Sequence, residues 1–195
     1  ITLCGKDITH LSVHKRSEAG MSHIPEDRHK HGLVLDDTLE NNIVLQRYRE
    51  PQFQHSGFIK KDAVRSYAEK IIEQYDVRSG QGPVTIARSM SGGNQQKAII
   101  GREIDRDNPF LIAVQPTRGL DVGAIEFVYK RIEEQKQAGK AVLLISTELT
   151  EIMRLSDRIA VFYKGRCMDI LPRETAEINR IGSLMMGITE GGAHA

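Results

Sequence analysis

The sequence predicts an α/β fold with parallel core strands, flanking helices and a helical subdomain. Three observations carry that expectation. The runs "FLIAV" and "AVLLIS" are compact, apolar and rich in β-branched residues, as strands of a buried parallel sheet are. Between them "VGAIEFVYKRIEEQKQAG" reads as a helix capped by Asp121 and stopped by Gly139, so the three segments form a βαβ unit. Upstream, Ala63, Val64, Tyr67, Ala68, Ile71, Ile72 and Tyr75 recur at helical spacing on one face, and residues 38 to 78 read as a helical subdomain.

Taken in order, "ITLCGKDIT" is a hairpin of two short strands around a Gly-containing turn, and "SVHKRSEAG" a brief helix ended by Gly20. "MSHI" is a short strand that stops at Pro25. "PEDRHKHGLVLDD" is too charged and too aperiodic to form an element and reads as a polar loop, where functional groups often sit. A helix opens after a cap at Thr38 and runs through "LENNIVLQRY" until "EPQFQHSG" breaks it with Pro and Gly. After the βαβ unit comes the helix "ELTEIMRLS", then "RIAVFYKGRCMDIL" as two strands around Lys164-Gly165, and a closing helix over 174 to 187. The tail "GITEGGAHA" is expected to fray.

Bulk properties remove several classes. The chain of 195 residues suits one good core, with at most a small appended subdomain. Lys plus Arg at 27 against Asp plus Glu at 26 leaves +1, so nothing demands nucleic acid or an anionic surface. Cys4 and Cys167 stand far apart without a CxxC pairing, which fits a reducing compartment and ordinary buried or half-buried thiols. No apolar run approaches the roughly 20 residues of a membrane helix, so a soluble protein is expected. The chain begins at Ile1 rather than Met, which raises the expectation of a cut or incomplete piece. His10, His14, His23, His29 and His31 crowd the first 31 residues, but without matching Cys or carboxylate spacing a solvated loop is the simpler reading, and no metal site is assigned.

Chemistry concentrates in "RSMSGGNQQKAIIGREI", which puts Ser91, Gly92 and Gly93 at the start of a helix. Small residues there let a phosphate reach bare backbone N–H groups at the positive end of the helix dipole. Alone, Ser-Gly-Gly reads first as an ordinary N-cap, since Ser and Gly are both favoured there.

Context changes the balance. "MSGGNQQK" resembles the signature motif of ATP-binding-cassette ATPases, and "LIAVQPTRGLD", about one helix later, is similar to that family's Walker B strand and D-loop. "HIPEDR" stands where the family has its Q-loop, with Glu26 in place of the Gln, and "LLISTELTEI" where it has the switch segment. With "GLVLDDTLENNIVL" and "QPTRGLDVGAIE", the pattern looks most like the second ATPase half of bacterial sugar and nucleoside importers, in which two cassette halves share one polypeptide. The resemblance implies a truncated core over residues 1 to 37, a helical subdomain over 38 to 90, signature helix to C-terminal strands and helix over 91 to 187, and a tail over 188 to 195.

Two departures stand out. A cassette holds its own nucleotide with G-x-x-x-x-G-K-[ST], and the sequence contains none: Gly5-Lys6 is followed by Asp7, and Gly139-Lys140 by Ala141. In the family that loop precedes a hairpin like "ITLCGKDIT", so the chain is expected to start downstream of it. Alignment on "QPTRGLD" also places Val114 and Gln115 where the Walker B Asp and the catalytic Glu belong, and Thr147 where the family usually has a His. Loss of a positioned base costs ~10² to 10⁴ in rate.

The resemblance therefore implies a division of labour. Ser91, Gly92, Gly93, Asn94 and Gln95, with Asp121 of the D-loop, would close over nucleotide held by a partner half, while the chain's own site is degenerate and the chain alone inactive. ATP and Mg²⁺ would be used only by the assembled protein. Expected partners are the other ATPase half or a dimer mate, membrane permease subunits and, indirectly, a substrate-binding protein, with no nucleic acid. The expected location is the cytoplasmic face of the membrane, peripherally. Arg28 could touch phosphate or the membrane subunit, or make a surface ion pair. Tyr48, Phe53 and Phe58 could anchor the membrane partner or pack locally. Two other functions compete: a non-catalytic interaction module, and a soluble cassette protein acting on nucleic acid or the ribosome, for which neither a coiled-coil insertion nor a basic linker is visible.

Overall fold

Three parallel strands, β3 (Met21–Ile24), β6 (Phe110–Val114) and β7 (Ala141–Ile145), form a sheet in that order, with Ile24 beside Ala113 and Val114 beside Ile145. The computed structural model describes residues 1–188 of this chain, divided into two compact units at Ile145/Ser146. The expected tail lies, from residue 189 on, outside the described residues.

The first unit opens with the hairpin of β1 (Thr2–Leu3) and β2 (Lys6–Asp7), then α1 (Val13–Glu18), whose cap Ser12 accepts from the Lys15 N–H. After β3 the chain makes a single helical turn at Arg28–Gly32, where a polar loop was expected. The reason is local: the Asp27 carboxylate accepts the N–H groups of His29 and Lys30, at 2.9 and 3.0 Å, and so caps a turn that has no apolar period. Those backbone bonds, Lys30's foremost, hold the Asp27 carboxyl below the usual carboxylate range.

The segment between this turn and Ser91 contains α2 (Leu39–Val44), the hairpin β4 (Gln54–His55) and β5 (Phe58–Ile59), and α3 (Lys61–Gln74). Thr38 caps α2 as expected, but the helix ends at Val44 instead of running to Tyr48. Residues 44 to 53 close successive turns instead, with Arg47 N–H on Val44, Glu50 on Arg47 and Phe53 on Glu50. "QHSGF", expected only as a break, is a two-residue hairpin whose Ser56 and Gly57 sit at φ 49° and 83°, the left-handed pair that matches strand twist. Val64, Ala68, Ile71 and Tyr75 of the predicted apolar face are buried.

At the centre lies α4 (Gly92–Ile104). It packs against α2, α3, β3 and α5 (Val122–Gln137), and Gln95, Gln96 and the run Ala98 to Glu103 are buried. Helix α5 then returns the chain to β7, as the βαβ reading requires. The strands β6 and β7 alternate in exposure, and Leu143 and Ile145 remain open on the less covered face of the sheet.

The second unit comprises α6 (Leu149–Leu155), an antiparallel pair β8 (Arg158–Tyr163) and β9 (Arg166–Pro172), and α7 (Ile178–Met185). Its own core joins Ile159, Val161, Leu171, Ala176, Ile181 and Leu184. The closing helix is shorter than expected, because residues 173 to 175 form a separate 3₁₀ turn. Both cysteines are exposed, correcting the expectation of buried or half-buried thiols: Cys4 occupies the tight turn between β1 and β2, and Cys167 lies on β9. Phe53 is buried with Val44 and Val64, whereas Tyr48 and Phe58 stay exposed. No described helix is long and apolar enough to cross a membrane.

Candidate functional site

Ser91 is the N-cap of α4. Its Oγ accepts from the Asn94 backbone N–H at 3.4 Å and from Asn94 Nδ2 at 2.9 Å, while Asn94 Oδ1 accepts the Arg78 N–H at 2.8 Å. Gly92 and Gly93 are thus the first helical residues, where backbone N–H groups lack intrahelical acceptors. Gln95 points inward: its Nε2 donates to Ala87 O at 2.9 Å and its Oε1 lies 2.9 Å from His29 Nε2. Gln96 donates from Nε2 to Pro116 O at 2.7 Å, tying α4 to the turn after β6.

That turn supplies the second wall. The Gln115 N–H continues the β6–β7 ladder by donating to Ile145 O at 2.8 Å, and the residue then adopts φ 46°, left-handed for a non-glycine. Gln115 O accepts from Arg118 N–H and Thr117 O from Leu120 N–H, which brings Asp121 to the N-cap of α5 with its Oδ1 on the Ala124 N–H at 3.0 Å. A Cβ added to Gly93 would lie 3.3 Å from Ala124 Cβ and 3.5 Å from Asp121 Oδ2. Gly93 and Asp121 are therefore neighbours within this chain.

The third wall is the segment after β3. Glu26 Oε1 meets Arg118 Nη1 at 2.5 Å, and Arg28 Nη1 donates to Arg118 O at 3.0 Å, so two residues of "PEDR" grip the same arginine. Sequence reading assigned no role to Arg118, whose partners lie some ninety residues away. Arg28 takes a backbone carbonyl where a surface ion pair was one expectation. Further along, a Cβ on Gly32 would fall 2.6 Å from Ile99 Cδ1, and Gly32 O accepts from Arg102 Nη1 at 2.9 Å. The turn thus lies along one stripe of α4, opposite Gly92, Gln95, Ile99 and Arg102.

The positions assigned to catalysis offer little. Val114 is a half-buried strand residue whose side chain has no oxygen to give a cation, and Gln115 carries a neutral amide; among the described residues no three His, Cys, Asp or Glu are grouped to hold a metal ion. This donor set does not fit a Mg²⁺ site built on Val114 and Gln115. Thr147 belongs to the second unit, in the bend before α6 where the Glu148 N–H donates to Ser146 Oγ at 3.0 Å. The N-terminal histidines do not assemble into a metal group either: His29 is engaged with Gln95 and His14 with Glu18.

No protein-family model matches the sequence. Among curated proteins it is 56% identical over 191 residues to the guanosine import ATP-binding protein NupO of Bacillus subtilis, covering 97% of this chain and 37% of that protein. It is 50% identical to the nucleoside import ATP-binding protein NupA of Lactococcus lactis, covering 96% and 37%, and 41% identical to the glucose import ATP-binding protein TsgD13 of Haloferax volcanii, covering 96% and 34%. The chain thus spans little more than a third of the length of these relatives. Among solved structures, a dimeric ATP-binding cassette in a post-hydrolysis state with ADP and Pi superposes with a TM-score of 0.69 at 17% identity, covering 88% of this chain and 72% of that one. A nucleotide-free cassette from an ABC transporter gives 0.67 at 17%, covering 86% and 67%. The chain therefore has the α/β fold of an ATP-binding-cassette ATPase, and its likeness in sequence is to the ATP-binding proteins of sugar and nucleoside importers.

Proposed function

We propose that this chain is the signature-bearing part of the second ATP-binding half of a bacterial importer for nucleosides or simple sugars. One observation carries the reading: the Ser91–Gly93 helix start and its neighbour Asp121 keep a phosphate-binding shape, while Val114 and Gln115 supply no carboxylate. The relatives named above, import ATP-binding proteins for guanosine, nucleosides and glucose, supply the substrate class. In this reading Ser91, Gly92 and Gly93 lie over the triphosphate held by the other ATPase half, whose own carboxylates hold Mg²⁺ and direct the water. Asp121 crosses the same interface, and Glu26 lies toward the permease subunits at the cytoplasmic face of the membrane. The chain's own pocket contributes form without hydrolysis.

The test uses the full-length protein assembled with its permease. Gly93→Asp places a carboxylate at the phosphate and is expected to lower ATP turnover at least ~10²-fold, the scale of losing a transition-state contact. Ser91→Ala, a milder change, serves where the first variant misfolds. Gln115→Ala is expected to leave turnover within about twofold, since no base is lost. Equal losses from Gln115→Ala and Gly93→Asp would refute the division of labour.

A further inference from the structure

The guanidinium of Arg28 occupies the place a side chain on residue 92 would take. A Cβ built on Gly92 would lie 2.8 Å from Arg28 Nη2 and 3.3 Å from its Cζ, and one built on Gly119, at φ 68°, would lie 3.8 Å from the same Nη2. Nη1 is meanwhile fixed on Arg118 O at 3.0 Å, and Nε is buried with no hydrogen-bond partner. One side chain therefore touches the start of α4 and the turn before α5. Glu26, two residues earlier, holds the Arg118 side chain from outside.

Stability alone does not account for this placement. A cation at the N-terminus of a helix opposes the helix dipole. The ion pairs formed by the described residues give Arg28 no carboxylate to offset that. What it offers is geometric: the planar fork donates from Nη1 to Arg118 O while Nη2 lies against Gly92, a reach over two backbone segments that a lysine's single ammonium lacks.

We propose that Arg28 is a positioning residue that sets the distance between the Ser91–Gly93 turn and the Arg118–Asp121 turn. Both turns face the opposed nucleotide under the function proposed above, and the inference rests on that reading. Because Arg28 sits on the segment directly after β3, displacement of that segment shifts both turns together, and turnover in the other half follows the position of Arg28.

The experiment compares Arg28→Gln and Arg28→Lys in the full-length protein with its permease, with Gly93→Asp as reference. Expected are a kcat lowered about tenfold by either change, in line with small misplacements of catalytic groups, and a KM for ATP changed less than about threefold. Amide exchange of the nucleotide-free protein should rise in segments 91–95 and 117–121 and stay unchanged in α3. Unaltered exchange in both segments overturns the proposal. So does a raised KM with kcat kept, which would make Arg28 a direct nucleotide contact. A silent Arg28→Gln beside a damaging Gly93→Asp sinks this inference alone; a silent Gly93→Asp sinks the proposed function and this inference with it.

Discussion

Arg102 and Glu103, consecutive on α4 and only 2% and 1% exposed, pair at 3.0 Å through Nε and Oε1. Their remaining bonds leave the helix. Arg102 Nη1 donates to Gly32 O and Asn42 O, while Glu103 accepts from Gln46 Nε2 at 2.9 Å and from the His23 N–H at 3.2 Å. The pair thus joins β3, the Arg28–Gly32 turn and α2 to one point of α4. Removing Glu103 leaves Arg102 buried without its carboxylate and takes from Arg106 the carboxylate 3.7 Å away, so Glu103→Ala is expected to cost about 3 to 5 kcal/mol. Replacing both, as Arg102→Met with Glu103→Leu, should cost less than the sum of the single changes. Urea unfolding of Glu103→Ala, of the double variant and of Arg102→Met and Glu103→Leu singly checks both, and additive losses would contradict the coupling.

Two glycines on this same scaffold differ in what surrounds them. A Cβ on Gly101 would meet Ile71 Cγ2 at 2.8 Å and the Tyr75 ring at 3.0 Å, and neither a β-branched side chain nor a ring anchored in a helix interface moves cheaply. Gly101→Ala is therefore expected to destabilise by about 1 to 3 kcal/mol of overpacking, outweighing the ~1 kcal/mol that alanine gains in a helix interior. At Gly32 the 2.6 Å contact is with Ile99 Cδ1, a terminal methyl that can swing about χ2, whereas Ile71 Cγ2 is fixed to Cβ, and the cost should be smaller. Melting temperatures of the two variants should rank in that order.

Alkaline pH tests the α2–α3 layer. Tyr67 donates to Asp105 Oδ2 at 2.8 Å and accepts from Arg47 Nη1 at 2.7 Å. Burial, and next the Asp105 bond, push its phenol well above the ordinary tyrosine value; burial likewise pushes Tyr75 up to about 12. A raised folded-state value means that the unfolded chain releases its proton first as pH climbs past about 10. Stability from these tyrosines is therefore complete below that pH and falls above it. Denaturant midpoints should decline from pH 9 to 11. Tyr67→Phe should flatten the decline, after a neutral-pH loss of about 1 kcal/mol for the hydrogen bonds.

The sheet, the βαβ unit and the caps at Thr38, Ser91 and Asp121 were legible because each rests on period or on a residue's own short-range hydrogen bonds. The Arg28–Gly32 turn was not. Asp27 could have suggested a cap, but no apolar period followed it, and the contacts that hold the turn come from Gly92, Gln95, Ile99 and Arg102 far along the chain. The β4–β5 hairpin hid in a segment whose Pro and Gly read as a break, although Ser56-Gly57 is a usable two-residue turn. Motif order singled out Ser91, Gly93 and Asp121, which the fold places at the starts of α4 and α5, with Gly93 beside Asp121. The grip of Glu26 and Arg28 on Arg118 joins residues 92 and 90 positions apart, and nothing local announces it. The exposed Cys4 follows from its turn, where φ 48° leaves the side chain outside any core.

Gln115 directly follows β6. Gln115 keeps φ 46° although its side chain is not the acid of a hydrolytic cassette. Such a conformation costs a non-glycine roughly 1 kcal/mol or more, and it persists only where the surroundings impose it. Here the N–H on Ile145 O, the carbonyl on Arg118 N–H and the Gln96 bond to Pro116 O fix the turn from three sides. The turn also brings Asp121 beside Gly93, and that proximity depends on its backbone shape and not on a carboxylate at 115. Side chains should therefore matter here through backbone preference more than through charge. Gln115→Val, β-branched and ill suited to this region, is expected to lose about 1 to 2 kcal/mol, whereas Gln115→Asn, which tolerates it, should stay within ~0.5 kcal/mol of the parent in denaturant unfolding. If valine proves as stable as asparagine, the turn is not held at this conformation, and the link from Gln115 through Asp121 to Gly93 loses its structural basis.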